Sequence, residues 1–275
     1  MSSAQEDGVR RLRAAGVASP EADARTLLAW AAGLEPWQLA TETVDAATVA
    51  RFNKLVDARA AGEPVQYLTG VAYFRTVSVA VGPGVFIPRP ETETVAGWAL
   101  ERLQPGRIVV ELCAGSGAIS LAIAAEAPGC RQYAVELDDD AFTWLMKNCS
   151  GSDIQLVHAD MADALHELDG TVDLVIANPP YIPGVDRTLV AADVLAHEPS
   201  RALFAGPDGL DAIKVVADTA ARLLRPGGSL VCEHDESHGA AVPALIDATG
   251  QFDEVQDYPD LTGRPRFVTA RRGVS

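Results

Sequence analysis

Val109-Val110-Glu111-Leu112-Cys113-Ala114-Gly115-Ser116-Gly117-Ala118-Ile119 reads as a strand that runs into a glycine-containing turn and leaves it as a helix. That geometry places a ligand above the carboxyl ends of a parallel sheet. Gly115 and Gly117 let the backbone approach a ligand closely, and the helix that starts beside them offers amide donors. A dehydrogenase, a methyltransferase and an unliganded βα turn all fit this stretch, so the segments around it have to decide.

Outward from the loop, apolar segments at 108–112, 132–137, 154–157, 172–177 and 229–233 alternate with helical patterns, beginning with a helix over 91–103. Such alternation predicts βαβ units and a mostly parallel sheet. Residues 252–258 and 266–271 lack a clear intervening helix and predict an antiparallel pair that closes a seven-stranded sheet. Before the sheet, 9–61 is rich in Ala, Leu, Arg and Glu, with Leu27, Leu28, Trp30 and Leu34 at helical spacing and breaks at Ser19-Pro20 and at 33–36. This predicts a small helical bundle. Phe74, Val77, Val79 and Val81, followed by Gly82-Pro83-Gly84, predict a hairpin or extended connector. The domains expected are therefore 1–66 helical, 67–90 connector and 91–275 α/β.

The bulk properties limit the function. A chain of 275 residues, 48% hydrophobic, can bury one substantial core and a smaller accessory one. No run approaches the roughly 18 apolar residues that span a bilayer, and 1–13 is polar, so a cytoplasmic protein with no membrane partner is expected. A formal charge of −16 opposes a phosphate backbone, so no direct nucleic-acid partner is expected and a protein partner is easier to accommodate. Cys113, Cys130, Cys149 and Cys232 have no paired short spacing and read as reduced thiols.

Two acidic positions extend the loop's case. Glu136, about 20 residues past the glycines, ends the next strand, where a carboxylate can bind both ribose hydroxyls. Asp160 follows a third strand, where it can accept from an adenine amino group while Met161 packs on the ring. The glycine pattern is not the full dinucleotide fingerprint, since position 120 is Ser.

The chemistry is carried by Asn178-Pro179-Pro180-Tyr181, delivered by the strand 172–177 to the same sheet end. Each proline lacks an N–H and restricts φ, so the pair fixes an extended turn in which the Pro179 carbonyl points into the site. An amide or exocyclic amine nitrogen is a poor nucleophile because its lone pair is delocalised. If the Asn178 side-chain oxygen and the Pro179 carbonyl each accept one N–H, that lone pair is aimed at a sulfonium methyl for in-line displacement. Tyr181 would pack on the planar group and exclude water. Methyl transfer from S-adenosyl-L-methionine, leaving S-adenosyl-L-homocysteine, fits this set better than hydride transfer.

The chain resembles the HemK-type family of release-factor glutamine N5-methyltransferases over most of its length. Residues 63–70 (Glu-Pro-Val-Gln-Tyr-Leu-Thr-Gly), 85–93 (Val-Phe-Ile-Pro-Arg-Pro-Glu-Thr-Glu), 178–182, Glu198-Pro199 with Ala202-Leu203, Asp208-Gly209-Leu210 and 260–266 (Asp-Leu-Thr-Gly-Arg-Pro-Arg) carry the likeness. The resemblance implies a Rossmann-like seven-stranded methyltransferase with a small N-terminal helical domain that helps dock substrate. The implied substrate is the glutamine of the Gly-Gly-Gln motif in class 1 peptide-chain release factors. It implies cofactor contacts at Cys113, Ala114, Gly115, Ser116, Gly117, Glu136 and Met161, and catalysis and substrate binding at Asn178, Pro179, Pro180 and Tyr181. Beside these, Glu111, Asp160 and Asn178 are expected to contact the cofactor and Phe86 to cover the substrate pocket. Glu111 and Cys113 depart from the Asp and Gly usual in that family's loop, and Met161 offers less stacking surface than the usual Trp.

Other readings stand beside these. A nucleic-acid adenine methyltransferase shares the Asn-Pro-Pro-Tyr motif, and a non-catalytic module could bind release factor or ribosome. Cys232, His234 and His238 lie close together, but no fourth ligand accompanies them and no metal is expected. Gln66 and Tyr67 either face substrate or hold the connector. Arg89 and Glu91 suggest an ion pair, and Phe86 fits core packing as well as a pocket.

Overall fold

The computed structural model describes residues 3–185 and 190–274. They divide into two compact units. Everything up to Val71, together with Val190–His197, forms the first, and the remainder forms the second.

In the first unit, α1 (Ser3–Ala14), α2 (Pro20–Ala32), α3 (Ala46–Ala60) and α4 (Val65–Thr69) are joined by α8 (Ala192–His197). The predicted breaks are the physical ones. Pro20 starts α2, where its missing N–H costs nothing, and Gly33 closes the helix in the left-handed conformation. Asp45 caps α3 by accepting from the Thr48 amide at 2.7 Å. Val9, Leu12, Leu27, Leu28, Phe52 and Val56 form the core. Trp30 departs from the face formed by Leu27 and Leu28 and stands 52% exposed.

The second unit opens with a two-stranded hairpin, β1 (Val71–Phe74) and β2 (Val77–Ala80), then α5 (Pro90–Leu100). A seven-stranded sheet follows: β3 (Ile108–Leu112), β4 (Arg131–Glu136), β5 (Gln155–His158), β6 (Val172–Ala177), β7 (Leu224–Glu233), β8 (Phe252–Pro259) and β9 (Pro265–Arg272). Their order is β5-β4-β3-β6-β7-β9-β8. The first five run parallel, and β9 pairs antiparallel with both β7 and β8. Between strands lie α6 (Ala118–Glu126), α7 (Asp139–Asn148), α9 (Asp211–Leu223) and α10 (Ala241–Ala248).

Side chains alternate across the sheet as strand geometry demands. Val110, Leu112, Val135, Val175 and Leu230 meet Ile213 and Val216 of α9 in one core layer, while Glu111 turns to the opposite face, against the start of α6. The order reverses between β3 and β6. A crevice at the carboxyl ends of two such strands is where open α/β sheets bind ligands. Among the described residues no helix is long and apolar enough to cross a membrane.

Candidate active site

Strand register brings the site residues level. Leu112 pairs with Val135 and Ala177, Glu136 with His158, and Ala177 with Cys232. One rim therefore carries, in spatial order, Asp160 and Met161 beyond β5, Glu136 ending β4, Cys113 beyond β3, Asn178 beyond β6 and Glu233 ending β7.

The loop after β3 is set by backbone conformation. Cys113 adopts φ of 59°, Gly115 55° and Gly117 80°, all left-handed. Gly117 caps α6, and a Cβ there would stand 2.7 Å from Leu145 Cδ1, so only glycine fits. A Cβ on Gly115 would meet nothing within 4 Å, so open space adjoins this backbone. The Ser116 carbonyl accepts from Asn148 Nδ2 at 2.9 Å, and the Ala114 amide donates to Val135 at 3.0 Å.

The carboxylates have divided roles. Glu136 is half-buried; its Oε2 accepts from the Gly115 amide, and its Oε1 from the Leu137 and Asp138 amides, each at 2.8 Å. It ties β4 to the loop while leaving lone pairs toward solvent. Glu111 is buried and accepts from the Ser120 amide at 2.9 Å and from the Ser120 hydroxyl, so its observed bonds anchor the start of α6. Burial raises its pKa to about 8 against the opposing effect of the Ser120 bonds. Asp160 accepts from the Ala162 amide at 3.0 Å. Cys113 Sγ lies 3.7 Å from Met161 Sδ, and burial pushes the thiol well up, which keeps it neutral. Exposed backbone, a half-buried carboxylate and a soft apolar patch fit a nucleoside-type ligand.

Asn178 is half-buried and donates its Nδ2 to Thr92 Oγ1 at 3.1 Å. With the nitrogen committed to Thr92, the amide oxygen is the atom left for a ligand. Among the described residues, neither that oxygen nor the carbonyl of buried Pro179 accepts a hydrogen bond. Two free acceptors thus sit beside each other at the sheet rim. The Tyr181 hydroxyl donates to Glu233 Oε1 at 3.0 Å, so its polar end is fixed. Pro180 is half-buried, and Ile182 bridges to Phe204, steadying the exit of the loop.

Two of these partners, Thr92 and Glu233, carried no role in the sequence reading. Thr92 lies inside the 85–93 segment and Glu233 at the end of a predicted strand, but only the fold puts both against 178–181. Arg89 pairs with Glu198 instead of Glu91, because buried Glu198 also accepts from the Ile87 amide at 3.2 Å and needs a countercharge. The Arg89 guanidinium stands 4.9 Å from the Phe86 ring centroid and holds that half-buried ring in place. His234 bonds Asp257 at 2.8 Å, and His238 bonds the Asp208 carbonyl at 3.1 Å, so the pair is used in packing loops. Tyr67 is buried at the end of the first unit.

Residues 3–70 match the family described as PrmC N-terminal domain, and 79–209 the family described as Methyltransferase small domain. A release factor glutamine methyltransferase of Streptomyces coelicolor is 47% identical, covering 96% of this chain and 95% of its own. A 4-amino-L-phenylalanine/4-methylamino-L-phenylalanine methyltransferase of Streptomyces pristinaespiralis is 38% identical, covering 94% and 91%. Among solved structures, a methyltransferase from Pyrococcus furiosus superposes with a TM-score of 0.50 at 17% identity, covering 71% of this chain and 89% of that one. That last likeness concerns the fold alone.

Proposed function

This chain belongs to the family of release factor glutamine methyltransferases, and from that premise we propose that it transfers the methyl group of S-adenosyl-L-methionine to the side-chain nitrogen of the glutamine in the Gly-Gly-Gln motif of class 1 release factors. It is a cytoplasmic protein–protein encounter in this reading. The observation that carries it is the pair of free acceptors at Asn178 and Pro179, set beside the loop after β3.

The residues divide the work. Cys113 to Gly117 receive the donor along open backbone, Glu136 meets its ribose hydroxyls, and Asp160 with Met161 takes the adenine side. S-adenosyl-L-methionine supplies an electrophilic methyl on a positively charged sulfur. Asn178 Oδ1 and the Pro179 carbonyl accept the two amide protons of the glutamine, which fixes the nitrogen and turns its lone pair out of conjugation. Those acceptors also stabilise the positive charge that grows on nitrogen as the bond forms. Tyr181, held by Glu233, and Phe86, held by Arg89, would enclose the amide and keep water from competing.

A second reading has its own support. The relative that methylates 4-amino-L-phenylalanine is 38% identical over nearly the whole chain. An aryl amine, like an amide, has a planar nitrogen with a delocalised lone pair, so the same two acceptors would serve it.

The deciding experiment incubates the protein with methyl-labelled S-adenosyl-L-methionine and, separately, a class 1 release factor, the same factor with that glutamine replaced by alanine, DNA, and 4-amino-L-phenylalanine. Label on the intact factor alone is expected. Label on the small amine but not the factor would replace the acceptor, and label on DNA would replace the class. In the active pairing Asn178→Ala should lower kcat by roughly a thousandfold while donor binding persists; turnover like that of the unaltered protein would remove Asn178 from its role.

A further inference from the structure

Behind the Asn178–Tyr181 loop lies a buried carboxylate that the reaction as described does not use. Glu233 ends β7 and is 1% exposed. Its Oε1 accepts from the Tyr181 hydroxyl at 3.0 Å. Its Oε2 is buried with no hydrogen-bond partner among the described residues, while the Thr92 side chain is near enough to hold the carboxyl's pKa down. A buried carboxylate oxygen left in this state calls for an explanation. Thr92 is also the residue that receives Asn178 Nδ2.

We propose that Glu233 is a positioning residue for methyl transfer, whose carboxylate draws the Thr92 hydroxyl proton and so fixes which way the Asn178 amide faces. The proposal rests on reading Asn178 Oδ1 as an acceptor for the substrate nitrogen. The oxygen and nitrogen of an amide are nearly the same size, so packing alone cannot choose between them. A hydroxyl can choose. When the Thr92 proton points to a carboxylate, Oγ1 presents only lone pairs to Asn178, and the amide must offer Nδ2 to Thr92 and Oδ1 to the site. When Glu233 is protonated, it becomes a donor, and its proton can satisfy Oγ1. Thr92 is then free to donate to Asn178 Oδ1. The flipped amide would face the substrate with N–H groups, opposing the substrate's own N–H groups.

The surroundings place this switch near neutrality. Glu91 and Thr92 face the carboxylate from α5, Tyr181 from the loop after β6 and Arg266 from β9; Cys232 precedes it on β7 and Asp235 follows in the next turn. Arg266 is itself held by Asp260 at 3.4 Å. Burial lifts the Glu233 pKa to about 7, with Glu91 adding to the rise and Thr92, Tyr181 and Arg266 opposing it. Activity should therefore grow as the pH climbs through that value.

The test uses the full chain with release factor and labelled donor, from about pH 6 to about pH 9, comparing the unaltered protein with Glu233→Gln, Thr92→Val and Thr92→Ser. Below the midpoint the unaltered protein should lose about tenfold in kcat per pH unit. Glu233→Gln and Thr92→Val should lose roughly ten- to a hundredfold in kcat with a flattened profile, while KM for release factor and donor affinity stay within about threefold. Thr92→Ser, which keeps the hydroxyl, should restore both rate and profile. A second readout needs no acceptor. The Asn178 side-chain amide resonances, assigned by their loss in Asn178→Ala, should shift through the same midpoint in the ¹⁵N-labelled unaltered protein and stay fixed in Glu233→Gln. Resonances that do not titrate, or that titrate alike in Glu233→Gln, overturn the proposal whatever the acceptor. An unchanged kcat profile in Glu233→Gln overturns it too. Titrating resonances in a protein that never methylates release factor would instead sink the choice of acceptor and leave the switch standing.

Discussion

At the scale of single residues, Cys113 is the informative departure. Its φ of 59° is one a side chain tolerates at a cost of about 1–2 kcal/mol, which glycine avoids. The strain is partly repaid by the contact of its sulfur with Met161 at 3.7 Å. Cys113→Gly should then change stability by less than about 1 kcal/mol, the relief of strain offsetting lost packing and added chain entropy. Cys113→Val, β-branched, should cost roughly 2 kcal/mol. Denaturant titration of both variants checks the pair, and a Val variant as stable as the Gly one would show that the loop is not held in this conformation. If the loop after β3 holds the methyl donor as proposed, Kd for S-adenosyl-L-methionine should follow the same order.

At the scale of elements, the Tyr181 loop is shaped by its neighbour across the rim. Gly209 has φ of 76°, and a Cβ there would run into the Tyr181 carbonyl and the His238 ring. Gly209→Ala should displace the 178–181 loop and lower kcat by at least tenfold, with about 2 kcal/mol of lost stability; full activity would mean that the loop yields without cost to the chemistry. Legibility differed element by element. β6 matched its predicted span because a strand covered on both faces leaves an apolar run, broken here only by Asp173. β7 begins at Leu224, five residues earlier than its apolar run, since Arg225-Pro226-Gly227-Gly228 hides the strand behind residues that ordinarily end one. There the register with β6 shifts between Val172 and Leu174. The predicted helix over 91–103 stops at Leu100, its last turn loosening before Pro105. The segments 113–117 and 178–181 were legible as neighbours at one sheet rim because each is contiguous and follows a strand end. Thr92 and Glu233 were not readable, because their meaning lies in partners 86 and 52 residues away.

At the scale of the molecule, stability and activity should respond oppositely to pH. Glu111 and Glu233 have folded-state pKa values of about 8 and about 7, above the ordinary 4.5 of an unfolded glutamate. Between those limits the folded protein holds protons that the unfolded chain has released, so stability falls as pH rises through the window and levels off above it. Asp260, lowered to about 2 by the Thr262 hydroxyl, and Asp173 and Asp235, also lowered, act in the other direction and lose their contribution only in strong acid. Urea midpoints should therefore be higher near pH 5 than near pH 8.5, and Glu111→Gln should flatten the upper part of the slope. A midpoint that climbs over that range would refute the burial argument. One further consequence lies in how the chain is threaded. Val190–His197 packs with the first unit, where Asp193 stands 3.7 Å from Arg59 and His197 lies beside Gly62, yet both of its flanks belong to the second. A recombinant chimera that exchanged only the leading 71 residues with a relative would separate Arg59 from the helix that carries its partner Asp193. Inheritance of this unit is thus split between two stretches of gene, and a crossover that keeps it whole must carry both.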